Sequence, residues 1–192
     1  MIFPVSATNE ERDIAWRKIA EISDKDFGFT DLGNKSDKSR FGVRIILKDS
    51  GEIYAIKSEK HGFYQLPGGG IDSGESITDA LRREVREETG FLIDAIRPLG
   101  YTIEHRESIR NQRPQKHDIS FVFEARTVKN IGTNYMDDEV EEGFKPVRIK
   151  VEDLVIELSK DEGKIQSYNG CFSNRRDLEI AKYYTARKRS LQ

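Results

Sequence analysis

Glu84, Glu87 and Glu88 carry the strongest chemical signal in this chain, because they lie on the wrong side of the helix that should hold them. Ile77, Ala80, Leu81 and Val85 recur at helical spacing. At about 100° per residue, the three glutamates fall on the same side as Ile77 and Leu81. A solvated acidic face would lie opposite the apolar stripe. Here the stripe itself turns acidic in its last two turns. The arrangement is locally unfavourable. Glu84 and Glu88 are like charges one turn apart, costing roughly 0.2–0.5 kcal/mol. Glu87 and Glu88 sit at the negative end of the helix dipole, at a cost of roughly 0.3–1 kcal/mol each. Arg83 is placed to pair with Glu87 at i,i+4 and leaves the others uncompensated. Carboxylates gathered in a half-buried place call for a cation. A donor set of oxygens without Cys or His suits a hard ion, Mg²⁺ or Mn²⁺.

The elements that must position these groups are legible on both sides. Ser76 is the expected N-cap, and Asp79 three residues on completes a capping-box pattern. Gly90 is the expected stop, since glycine enters the left-handed C′ conformation cheaply. Ahead of the helix, His61 to Pro67 reads as a short strand entering the turn Gly68-Gly69-Gly70, where the backbone can approach a ligand closely.

The stretch Gly69 to Phe91 resembles the Nudix box, G-x5-E-x7-R-E-U-x-E-E-x-G-U with U bulky and apolar. The fixed positions are filled by Gly69, Glu75, Arg83, Glu84, Val85, Glu87, Glu88, Gly90 and Phe91. The resemblance implies Glu87 and Glu88 as central metal ligands, with Glu84 as a ligand or proton acceptor. It implies that Arg83 holds a glutamate in its rotamer and that Glu75 braces the loop and helix start. A backbone carbonyl near Gly69 joins the metal set. The general base of such enzymes can also come from a loop outside the box, and the acidic run at 137–142 offers Glu139 and Glu142. For substrate contacts, Arg44 lies on the strand face opposite Val43 and Ile45, and Arg106 stands at the head of a basic stretch. Both suit phosphate, and Tyr64 suits stacking on a base.

From Phe41 the pattern changes to period two, with Phe41, Val43, Ile45 and Leu47 on one face. Asp49-Ser50-Gly51 turns the chain into a returning strand at 53–56. Further strands are expected over 91–104, 116–127 and 147–151, then a short helix around Leu154 and a last helix capped by Ser173 or Asn174. Near the N-terminus, Asn9 reads as a helix start, and Ala15, Ile19 and Ile22 as the stripe of an amphipathic helix. The polar stretch 27–39 reads as a linker or loop. The resemblance implies an α/β fold, a Nudix-like α/β/α sandwich with a mixed β-sheet. The expected division is an N-terminal amphipathic helix and linker over 1–38 and the hydrolase domain over 39–192.

The chain has 192 residues, 36% of them hydrophobic, and a net charge of −2. That balance argues against a partner that is a nucleic-acid backbone or an anionic membrane. The one cysteine, Cys171, excludes an internal disulfide and fits a reducing compartment. The opening residues MIFPVSATNEERD lack the basic flank and long apolar core of a signal peptide, so a cytoplasmic location is expected. The functional expectation is a metal-dependent hydrolase that cleaves the pyrophosphate linkage of a small nucleoside diphosphate derivative by water attack at phosphorus. The alternative is a sensor module that binds such a nucleotide without cleaving it. The N-terminal stripe leaves a homodimer open.

Overall fold

The computed structural model describes residues 2–33, 35–111, 116–133 and 143–190. Strands β1 (Lys18–Ser23), β2 (Ser39–Asp49), β3 (Glu52–Ser58), β4 (Tyr64–Gln65), β5 (Phe91–His105), β6 (His117–Asn130) and β7 (Phe144–Ile149) form one mixed sheet. The order is β1-β5-β6-β2-β3-β4, and β7 also pairs with β3. β1 runs parallel to β5, and β2 runs parallel to β6. β5 with β6, and β2 with β3, are antiparallel.

Alternation along β2 and β6 sends side chains to both faces, and both faces are covered. Val43, Ile45, Leu47, Phe121 and Phe123 meet Ile77, Leu81 and Val85 of helix α2 (Ile77–Thr89). On the other face, Ile46, Val122 and Leu99 meet helices α3 (Val151–Asp161) and α4 (Tyr168–Ser190). The result is an α/β/α sandwich, with the helix carrying the box and the last helix on opposite sides of the sheet.

The N-terminal segment corrects the sequence-based expectation. Helix α1 is short, Asn9–Asp13, and its cap is Thr8 rather than Asn9. The stripe Ala15, Ile19 and Ile22 is not helical. Ile14 turns extended, and residues 18–23 become β1. The cause is tertiary: β1 zips onto β5, beginning with the Tyr101 N–H donating to the Arg17 carbonyl at 2.9 Å. Such pairing overrides a weak helical period. Residues 1–38 are therefore not simply a helix and linker, because they supply a strand of the sheet. The stretch after the 3₁₀ turn Asp24–Phe27 is irregular as expected, but Phe27 and Phe29 pack on Tyr168 and Phe172. The last helix starts earlier than expected. Ser173 and Asn174 lie inside α4, and the Asn174 Nδ2 donates to the Leu158 carbonyl at the end of α3.

Candidate active site

Helix α2 ends where the sequence places its ends. The Ser76 Oγ accepts from the Asp79 N–H at 3.1 Å. The capping box is not reciprocal, because Asp79 Oδ2 accepts from the Ser76 hydroxyl at 2.7 Å instead of from its backbone. Gly90 closes the helix at φ 73°, and its N–H donates to the Arg86 carbonyl at 2.9 Å.

The glycine turn is laid along β2 by three backbone bonds. Ile45 donates to Pro67 at 3.1 Å, Val43 to Gly69 at 3.0 Å, and Ile71 to Phe41 at 3.0 Å. This brings the turn against the acidic face of α2. A Cβ on Gly69 would stand 2.4 Å from both carboxylate oxygens of Glu84, so only glycine allows that approach. The Gly69 carbonyl expected near a metal faces β2, where it accepts from Val43.

Arg83 is the hub of the cluster. Its Nε and Nη2 each donate to Glu75 at 2.9 Å, and Nη2 also donates to the Gly70 carbonyl at 2.9 Å. Its Nη1 donates to Glu84 at 2.8 Å and to Glu87 at 3.1 Å. Glu75 in turn accepts from the Asp72 N–H at 3.1 Å, which fixes the loop ahead of the helix. The Arg83 hydrogen bonds hold the Glu75 carboxyl below the ordinary range. Glu84 is shifted the other way, because burial raises it despite the Arg83 contact. Glu88 points inward and accepts from the Gly68 N–H at 2.7 Å.

Among the described residues, no three carboxylate, imidazole or thiol side chains stand together in ligating geometry. Instead the Arg83 guanidinium supplies the positive charge shared by Glu84 and Glu87. Its Nη1 marks a point within hydrogen-bonding distance of both, and every donor there is an oxygen. The donor chemistry fits a hard divalent cation.

The expected substrate groups lie on the sheet face away from α2. Arg44 is buried behind the glycine turn, with Nη1 donating to the Val43 carbonyl at 2.6 Å and to the Gly69 carbonyl at 3.4 Å. Burial, and then the nearby Arg176, push it down to about 10. Arg106, expected at the head of a basic stretch, is only 1% exposed. It is bound to Glu104, lies 3.1 Å from Asp118, and stacks 4.5 Å from the Phe172 ring centroid. Its reach is toward that buried ion network and not toward the α2 carboxylates. Tyr64 is half-buried on β4 and lines a small cavity of about 160 Å³ with Phe63 and Asn169. Glu139 and Glu142 lie outside the described residues.

Sequence reasoning missed Arg176 and Asp177. Both are buried in α4, and Asp177 accepts from the Leu66 N–H at 2.9 Å and from Arg176 Nε at 2.8 Å. The available signal was the one that exposed the glutamates of α2. Arg176 and Asp177 lie at helical spacing from Ile180 and Ala181, which places charges on an apolar stripe.

A family model described as NUDIX domain matches residues 38–169. An RNA pyrophosphohydrolase of Ruthia magnifica subsp. Calyptogena magnifica is 43% identical over 71 residues, which is 37% of this chain and 39% of that protein. A putative 8-oxo-dGTP diphosphatase of Bacillus subtilis (strain 168) is 43% identical over 47 residues, 24% of this chain and 32% of that protein. Each alignment thus spans less than half of the curated relative. A solved NUDIX hydrolase from Nitrosomonas europaea shares the fold with a TM-score of 0.50 at 19% identity, over 72% of this chain and 88% of that one.

Proposed function

The chain belongs to the NUDIX domain family, and from that premise we propose that it is a metal-dependent hydrolase cleaving the pyrophosphate linkage of a nucleoside diphosphate derivative. The observation that carries the reading is the packing of Gly69 against the Glu84 carboxylate, with Glu87 held to the same Arg83 nitrogen. Phosphoryl transfer needs charge neutralised and reactants positioned far more than covalent help from side chains. Glu84, Glu87 and Glu88 would hold a divalent cation, with the backbone near Gly69. When bound, the cation would neutralise diphosphate oxygens and make phosphorus open to attack.

The chain's own groups do the rest. Arg83 keeps the carboxylates in place by occupying five acceptors at once. Glu75 fixes Arg83 and, through Asp72, the turn. Glu84, with its affinity for protons raised by burial, is suited to accept one from water, and Glu139 or Glu142 are the alternatives. Arg44 and Arg106 would supply positive charge on the substrate side, and Tyr64 would stack on a base. The name of the Bacillus subtilis relative, a putative 8-oxo-dGTP diphosphatase, favours a nucleoside triphosphate as substrate. We assign the protein to the cytoplasm, with Mg²⁺ or Mn²⁺ as cofactor and a homodimer as one assembly to test. No helix among the described residues is long and apolar enough to cross a membrane.

A nucleotide sensor without turnover is the second reading, and the bridging of Glu84 and Glu87 by Arg83 favours it. The deciding experiment is hydrolysis of diphosphate-linked nucleotides by the purified protein with Mg²⁺, with Mn²⁺ and with chelator, beside Glu87→Gln. Metal-dependent turnover of one substrate class, lost in the variant, supports the hydrolase. Stabilisation by a nucleotide without turnover in any metal favours the sensor.

A further inference from the structure

On the sheet face away from α2 lies a cavity of about 170 Å³, lined among others by Arg40, Arg44, Arg106, Asp118, Ser173 and Arg176. Its chemistry is almost wholly polar. Phe41 and Ile119 also line it, but their side chains belong to the core on the α2 face. They show the cavity backbone only, so no aromatic ring is offered to a base. A nucleobase pocket would be lined mainly by apolar and aromatic groups. This one is lined by guanidinium, hydroxyl, amide and carboxyl groups.

The wall holds more charge than it satisfies. Arg44, Arg106 and Arg176 are buried with Glu104, Asp118 and Asp177. Arg44 Nε is buried with no hydrogen-bond partner among the described residues, and its approach to Asp177 is 3.9 Å. Asp118 Oδ1 and Glu104 Oε1 are likewise buried without one. Buried polar atoms are ordinarily paired, and exceptions call for a missing partner. Arg40, the fourth arginine, adds positive charge that this network does not match. An anion bearing a hydroxyl would answer two of these three orphans, accepting from Arg44 and donating to Asp118, while Glu104 Oε1 is left to Arg176 at 3.6 Å.

The cavity also adjoins the carboxylate cluster. A Cβ on Gly70 would stand 3.0 Å from Arg40 Nη2, while the Gly70 carbonyl accepts from Arg83 at 2.9 Å. Gly70 therefore separates an arginine of the cavity from the arginine of the cluster by one residue's thickness. Arg44 crosses the same boundary through the Gly69 carbonyl at 3.4 Å.

We infer that this cavity receives a phosphoryl group, so that the substrate carries a phosphate beyond the linkage that is cleaved. Calling the ligand part of a substrate rests on the hydrolase reading, whereas the anion site rests on the cavity alone. The same chemistry would also hold free inorganic phosphate as a separate ligand.

The test uses the full chain in chelator, with inorganic phosphate titrated against chloride of equal ionic strength. Phosphate should raise the melting temperature and chloride should not. Arg40→Gln should weaken phosphate about tenfold, the size of one lost charge-assisted bond. Ser173→Glu places a carboxylate in the cavity, and it should raise the ligand-free melting temperature and abolish the phosphate response, while Ser173→Ala does neither. If wild type does not respond to phosphate beyond chloride, or both charge variants respond in full, the inference falls. Kinetics with metal separate the two sources. A KM rise in Arg40→Gln confined to substrates with an additional phosphoryl group supports the substrate assignment, and an equal KM for all substrates supports free phosphate and overturns it. Phosphate binding without turnover of any nucleotide would remove the hydrolase reading and leave the anion site standing.

Discussion

Arg83 and Glu75 are joined by two parallel hydrogen bonds, Nε to Oε1 and Nη2 to Oε2, each 2.9 Å long. The pair spans the turn between the glycine loop and the helix body. It makes one rigid unit of the glycine loop and the carboxylates that face it. Lysine cannot reproduce this fork. Arg83→Lys should therefore lower kcat more than it lowers stability. The pair is partly exposed, so the stability loss should be about 1 kcal/mol, discounted for solvent. Misplacement of the carboxylates should cost about a hundredfold in rate. Paired urea melts and steady-state kinetics check both, and a rate loss no larger than the stability loss would contradict the positioning role.

Glu75 also makes a pH prediction. Its folded pKa lies below the ordinary value of 4.5 because Arg83 donates to it. A depressed acid contributes stability that is present above the unfolded value and lost as pH falls through the folded one. The stability advantage of wild type over Glu75→Gln should be full at neutral pH and should shrink progressively on acidification below 4.5. Denaturant melts at a series of acidic pH values would show the two curves converging. Parallel curves would mean that the carboxylate is not held by Arg83 in solution.

Glu84 should behave in the opposite sense. Burial raises its folded pKa, so ionisation costs stability as pH rises through the unfolded value and then the folded one. In chelator at neutral pH, Glu84→Gln should be at least as stable as wild type, by up to about 1 kcal/mol. With excess Mg²⁺ the order should reverse, since a cation at one hundred times its Kd adds about 2.7 kcal/mol to the form that binds it. Thermal melts with and without metal test the crossing. If Glu84→Gln gains as much from Mg²⁺ as wild type does, Glu84 is not a ligand.

The contrast between α2 and β1 shows why one was legible in the sequence and the other was not. In α2 the cap, the stop, the apolar stripe and the misplaced glutamates all lie within a few turns of one another, so the signals are local. β1 is decided by β5, some eighty residues away, and the i,i+3 spacing of Ile19 and Ile22 favours a helix, whereas in the strand the two point to opposite faces. The Arg44–Asp177 and Arg106–Asp118 approaches have the same non-local character. Each residue type was visible, but only the sheet and α4 bring the partners together.

Gly69 gives a sharper test of the site than any charge removal. The Gly69→Ala methyl would stand 2.4 Å from both Glu84 oxygens. The flexible end of Glu84 can retreat, so the fold should survive with a loss of about 1 kcal/mol. The retreat pulls Glu84 off the Arg83 nitrogen that it shares with Glu87. Activity should fall to near background while the circular dichroism spectrum is unchanged. An active Gly69→Ala protein would show that the approach of turn to carboxylate does not matter to chemistry.

Glu11 ties the N-terminal segment to helix α2, and its removal should be felt there. Its Oε2 accepts from the Thr8 N–H at 2.9 Å and closes the capping box of α1. Its Oε1 accepts from the Thr78 N–H at 2.8 Å and from the Thr78 hydroxyl at 2.9 Å, satisfying a free donor in the first turn of α2. One buried carboxylate thus serves two helix starts. Glu11→Ala leaves both unpaired and should cost about 2–3 kcal/mol, whereas Glu11→Gln keeps an acceptor and should cost about 1 kcal/mol. Because the charge sits at the N-terminus of α2, where the dipole favours it, the Gln variant isolates the electrostatic part. A double-mutant cycle with Thr78→Ala separates the two caps. A coupling near zero would mean that the N-terminal segment packs beside α2 without holding it, and truncation before β1 would then leave the start of α2 as stable as before.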